Sequence, residues 1–144
     1  MDNRKTFAKQ IEYFFRTFVR CGIMGWCMEI LFTSLQSFRR REKKGMGNTS
    51  VFMFPIYGLA VFLKPVCHLV KGLHVVLRGI IYTVCIFTAE YGTGRFLQKR
   101  DMCPWDYSSS PWNVRSIIRL DYAPVWFLTG LIFERLLRAE ASEK

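Results

Sequence analysis

The chain has 144 residues, 51% of them hydrophobic and 16% aromatic, which excludes both a long multidomain architecture and a disordered chain. Twenty-one Lys and Arg stand against eleven Asp and Glu, a net charge of +10. That balance leaves either a nucleic-acid surface or basic loops flanking membrane helices, and one compact domain over residues 1–144 is expected.

The charges are bunched, and the gaps between the bunches are long. Cys21 to Phe38 carries only Glu29, Gly45 to Leu63 carries no charge, Gly79 to Gly94 carries only Glu90, and Tyr122 to Phe133 is uncharged up to Glu134. A span needs roughly 20 mostly apolar residues, so the first three segments suffice if flanking Arg side chains snorkel. The fourth must borrow Leu120, Leu136 and Leu137. A soluble bundle would show a polar face on each helix, whereas Ile80 to Phe87 and Val125 to Phe133 are apolar all round. The reading is an all-α polytopic membrane protein, a bundle of four transmembrane helices near 11–37, 50–70, 76–98 and 120–138. Because Lys and Arg lie at the ends of apolar helices, a nucleic-acid surface is excluded.

The N-terminal stretch Phe7 to Val19 is interrupted by Lys9, Glu12 and Arg16, so the first helix is expected to stay in the membrane instead of being cleaved as a signal. Cys21, Cys27, Cys67, Cys85 and Cys103 are odd in number and scattered, which reads as small core residues, not a disulfide framework or a metal knuckle. His68 and His74 read as polar residues near a helix end. Lys and Arg divide eleven to ten between the two sides of a four-helix topology, so the positive-inside bias sets no orientation. The tie also fits a chain that pairs with itself in antiparallel fashion.

Glu29 and Glu90 are the carboxylates at membrane depth. Gly22, Gly25 and Trp26 share a helical face with Glu29, and Thr83, Phe87 and Gly94 share one with Glu90. A carboxylate there is costly and is a functional candidate by default, the alternative being a hydrogen bond to a neighbouring helix or pairing with Arg20 or Arg95. Both are expected to face the bundle interior near Tyr57. Glu134, beside Arg135 and Arg138, reads as interfacial.

The loop over 99–119 contains Cys103-Pro-Trp-Asp-Tyr-Ser-Ser-Ser-Pro-Trp-Asn113. Its two prolines oppose a helix, while Trp105, Tyr107 and Trp112 suit a membrane interface. Asp106, Ser108 and Asn113 can satisfy backbone donors, Asp106 in an Asx turn. The expectation is a structured loop between the third and fourth helices that folds back over the carboxylates. A faint repeat links Glu29 and Pro55-Ile-Tyr57 to Glu90 and Pro124-Val-Trp126, as two helical hairpins would.

Gly25-Trp-x-x-Glu29, Phe54-Pro-Ile-Tyr-Gly58, Glu90-Tyr-x-Thr-Gly94, Cys103-Pro-Trp-Asp-Tyr-Ser108 and Asn113, in this order, resemble a family of small membrane proteins described as ABC-transporter permeases of the CmpB type, with vertebrate relatives named transmembrane protein 229. The resemblance runs from Gly25 to Glu134 and departs from the bacterial pattern before Pro55 and at Ser116, where Gly is usual. It implies a multi-pass protein of the plasma membrane of a bacterial cell and a role as a transport component. The candidate ligand-binding cluster is then Glu29, Tyr57, Glu90, Trp105, Asp106, Tyr107, Ser108 and Asn113. No Gly-rich phosphate motif is present, so ATP-driven work requires a separate ATPase chain or other membrane subunit. A homo-oligomer is a further partner. The sequence indicates no cofactor, zinc signature or nucleophile–base pair, and the alternative reading is a membrane enzyme or an accessory, scaffolding subunit of another membrane complex.

Overall fold

The computed structural model describes residues 2–142, and they are mostly helical. Helix α1 runs Asp2–Arg39, α2 Met53–Gly58, α3 Leu63–Leu69, α4 Val75–Gln98 and α5 Ala123–Ser142, with 3-10 turns at Leu59–Phe62 and Leu120–Tyr122. The chain falls into two compact units, Met1–Val61 and Phe62–Lys144. Among the described residues two helices, Arg4–Arg39 and Val75–Gln98, are long and apolar enough to cross a membrane, and Met53–Leu69 is a shorter apolar run.

In the first unit, α1 begins nine residues before the expected start at 11. At 38 residues it is about 57 Å long, against a hydrocarbon core of about 30 Å. Its early Arg and Lys are good helix formers and do not end a helix, so charge marks where the apolar stretch stops and not where the helix does. Helix α2 packs on α1 where α1 has no side chains. A Cβ on Gly22 would meet the Phe54 ring, and a Cβ on Gly25 would meet Tyr57. Reciprocally, Phe18 covers Gly58. Phe18 stands edge-on to Phe54 at 6.2 Å between ring centres, and Trp26 lies 4.9 Å from Phe54. The outer side of α1, with Leu31 and Leu35 exposed, is an apolar face suited to lipid.

The expected helix at 50–70 is broken into α2, a 3-10 turn and α3. Pro65 supplies the reason: it lacks the N–H that would bond the Val61 carbonyl, so an unbroken α-helix cannot pass.

In the second unit α4 packs against α5 through the same device. Phe127 covers Gly79 and Tyr82 covers Gly130. Buried Phe133 and Leu137 on α5, Tyr82 on α4 and Cys67 on α3 form the core. The segment joining α4 to α5 folds into a small antiparallel hairpin, β1 Asn113–Val114 with β2 Ile118–Arg119, in register Asn113↔Arg119 and Val114↔Ile118. This is the one departure from an all-α fold among the described residues. Ile117 at the hairpin end is fully buried and sits on Gly94 of α4, so the loop is anchored on the helix that carries Glu90.

Candidate functional site

Glu90 sits two-thirds of the way along α4 and is only 9% exposed. It has company because the aromatic loop folds back on its own helix. Trp105 donates its indole N–H to the Ile117 carbonyl at 2.8 Å, and its ring shares the Gly94 seat. The Tyr107 N–H donates to the Ser116 carbonyl at 3.0 Å, and the Tyr107 hydroxyl donates to Glu90 Oε1 at 3.4 Å. Tyr122 stands edge-on to Tyr107 at 5.8 Å and fixes the ring plane. From α5, the indole of Trp126 stands against the same carboxyl group, within reach of its N–H, although neither Trp126 Nε1 nor Glu90 Oε2 makes a hydrogen bond of ordinary length and angle. The result is a carboxyl enclosed by a phenol and an indole inside a helix hairpin.

The turn beneath this loop is strained in a defined place. Arg115 and Ser116 adopt left-handed backbone at φ 52° and 60°. That geometry explains why glycine suits position 116. The Ser116 N–H donates to Asn113 Oδ1 at 2.9 Å, and the Asn113 amide donates to the Ser110 carbonyl. Asn113 therefore works inside the loop. Asp106 does the same: its Oδ1 accepts from the Ser108 N–H at 2.9 Å and its Oδ2 from the Ser108 hydroxyl at 3.0 Å, an Asx turn on an exposed surface. Cys103 donates its thiol to the Trp105 carbonyl, and burial pushes that thiol above its ordinary value.

The remaining sequence candidates belong to the first unit. Glu29, half-buried on α1, accepts from the Thr49 hydroxyl at 2.8 Å through Oε2. Thr33 one turn on donates to the Glu29 carbonyl at 2.8 Å and accepts from the Asn48 N–H at 2.8 Å, while Trp26 donates to the Ser50 carbonyl at 3.0 Å. Tyr57 is the packing partner of Gly25. So the structure brings Glu90, Tyr107 and Trp105 together in the second unit, and Glu29 and Tyr57 stand in the first.

Three groups escaped the sequence reading of the site. Trp126 and Thr49 reach their carboxylates from distant positions, although Trp126 stood in the repeat at the place Tyr57 holds. Glu134, read as interfacial, is 4% exposed: Arg78 Nε lies 3.1 Å from its Oε1, and Arg138, one turn away, pairs with the same oxygen. The Arg78 guanidinium also donates to the Leu73 carbonyl at 2.8 Å. His74 caps α4, accepting from the Val76 N–H. Among the described residues no three His, Cys, Asp or Glu side chains lie close enough to hold a metal ion.

With this geometry in hand, the comparison with known families is decisive for kinship. A family model described as "Putative ABC-transporter type IV", the CmpB type, matches residues 16–143. The chain belongs to that family. No solved structure matches it.

Proposed function

We propose that this protein is a multi-pass, permease-like component of a membrane transport complex, a single integral-membrane domain of the plasma membrane of a bacterial cell, with the Glu90 pocket as its contact with a small solute. The observation that carries the reading is the buried Glu90 carboxyl, enclosed by Tyr107 and facing Trp126, in a helix long and apolar enough to span a bilayer. A buried carboxylate at that depth is costly, and a structural role alone would be served by closing all its hydrogen bonds. Family membership supports a transport role. In this reading α1, the run over 53–69, α4 and α5 are the four spans. The Arg78–Glu134–Arg138 group lets α5 cross despite its charges, because the buried carboxylate is paired.

The chain supplies no phosphate-binding loop, so energy from ATP enters through a separate subunit. Extraction of the full chain in mild detergent followed by identification of what comes with it tests this. The expected result is a stoichiometric ATPase subunit. A chain recovered alone, from membranes in which it is functional, overturns the ATP-driven reading.

A further inference from the structure

Helix α1 ends in the densest charge of the chain. Arg39, Arg40, Arg41, Lys43 and Lys44 put five cations into six residues against the single carboxylate of Glu42, and all six residues are exposed. Their level in a bilayer is set by what precedes them. The apolar run Cys21 to Phe38 is about 27 Å long as a helix, close to a hydrocarbon core of about 30 Å, so the cations stand where phospholipid headgroups lie.

The backbone makes this charge a fixed edge instead of a loose tail. The Glu42 N–H donates to the Ser37 carbonyl at 3.0 Å and the Arg41 N–H to the Phe38 carbonyl at 2.9 Å, the paired bonds of a Schellman turn. The chain then doubles back along α1. The Ser37 hydroxyl donates to the Met46 carbonyl at 2.9 Å, Gly45 sits against the Phe38 ring, and the Asn48 N–H donates to Thr33 Oγ1 at 2.8 Å. Because backbone N–H groups answer the Gln36, Ser37 and Phe38 carbonyls, the guanidinium groups are not needed to cap the helix.

Arg41 holds left-handed backbone at φ 63°, in the position of this turn that glycine fills most often because a side chain there is strained. Asp101 holds the same position at the end of α4, at φ 53°, but Asp is among the few residues that visit this region with ease. Glycine would form the α1 turn more readily than arginine, so the strain points to a use for the charge.

The edge calls for a ligand with two parts. Guanidinium forks hold phosphate oxygens two at a time, and ammonium groups add point charge. Leu35, one turn before Arg39, is exposed beside the cations together with Phe38 and Met46, and these side chains are better covered by hydrocarbon than by water. A free phosphate or a nucleic acid answers only the first demand. An acidic phospholipid answers both.

We propose that the turn over 39–44 is a binding site for the headgroups of acidic phospholipids, whose acyl chains lie along Leu35, Phe38 and Met46. The inference goes beyond the Glu90 reading and rests on α1 spanning a bilayer.

The test is native mass spectrometry of the full-length chain, released from detergent micelles that hold equal amounts of phosphatidylglycerol and phosphatidylcholine. Wild type should retain phosphatidylglycerol several-fold over phosphatidylcholine, and the triple variant Arg40→Gln, Lys43→Gln, Lys44→Gln should retain the two alike. Arg41→Gly separates binding from folding: it should raise the melting temperature by relieving left-handed strain, and yet lower the preference for phosphatidylglycerol. A residue that serves only the turn would not move the two in opposite directions. No preference in wild type, or a preference unchanged in the triple variant, overturns the proposal. Should that variant fail to fold, an unchanged preference in Arg41→Gly overturns it equally. Displacement of the lipid by inorganic phosphate assigns the edge to free phosphate, and an acidic polypeptide retained in its place assigns it to a protein partner; either result overturns the lipid site. A chain recovered in the soluble fraction without detergent overturns it together with the spanning reading, whereas a detergent-bound chain that shows no lipid preference overturns it alone.

Discussion

Tyr57 fills the space that a side chain at residue 25 would need, so that α2 lies directly against the bare backbone of α1. Glycine at 25 is a condition of that approach. Gly25→Ala should destabilise the protein by about 1–3 kcal/mol, the usual cost of overpacking, read as a lower melting temperature in detergent. Tyr57→Ala in the same chain should recover part of the loss, since it vacates the seat. Two additive losses would show that the contact does not matter.

A second prediction follows from the turn that holds Tyr107. Ser116 sits at φ 60°, where a side chain is unfavourable, and its carbonyl anchors the Tyr107 N–H. Ser116→Gly should stabilise the protein by about 0.5–1 kcal/mol, the relief of left-handed strain less the extra freedom of glycine when unfolded. Ser116→Val should destabilise it and weaken any signal that depends on the Tyr107–Glu90 contact. Equal melting temperatures for all three residues would contradict the strain argument.

The Glu134 group makes a third. Arg78 crosses from α4 to α5, whereas Arg138 is half-exposed and lies on Glu134's own helix. Arg78→Met should therefore cost more than Arg138→Met, about 3 kcal/mol if it leaves Glu134 poorly paired. The double replacement Arg78→Met with Glu134→Leu should regain much of it, because an apolar pair carries no buried charge. A double variant as unstable as Arg78→Met alone would mean that the ion pair contributes fold specificity that apolar packing cannot replace.

What the sequence disclosed, and what it hid, divides along physical lines. Long apolar runs, each holding a single carboxylate, marked α1 and α4, since apolar length is a local property. The aromatic loop declared itself through Pro104 and Pro111, which forbid a helix, and through ring density. The helix break before α3 was also written there, in Pro65, but apolar residues on both sides of it masked the interruption. The hairpin over 113–119 was not legible, because strands of two residues carry no periodicity and depend on left-handed backbone at Arg115 and Ser116. Pairings across the fold were equally hidden: nothing near Glu134 in sequence announces Arg78, fifty-six residues away.

A fourth prediction concerns Cys103 in the loop. Burial holds its thiol above the ordinary thiol value of 9.0. At pH 8 its alkylation in the native protein should be several-fold slower than after denaturation. The sign for stability follows from the same shift. With the folded-state value raised, the contribution is fully present below pH 9 and is lost as pH rises through the folded value. Alkylation as fast as that of a free thiol would show the site to be open.

A transport role requires that these helices cross a bilayer. In a chain freed of its native cysteines, single cysteines at Lys5, in the first turns of α1, and at Lys44, beyond its end, mark the two ends of that helix, and single cysteines at Gly72 and Ser109 bracket α4. A residue at 72 meets nothing within 4 Å, so the change is tolerated there. In sealed membranes an impermeant maleimide should label the two members of each pair from opposite sides. Labelling of both members of a pair from the same side, or recovery of the chain in the soluble fraction without detergent, would contradict it.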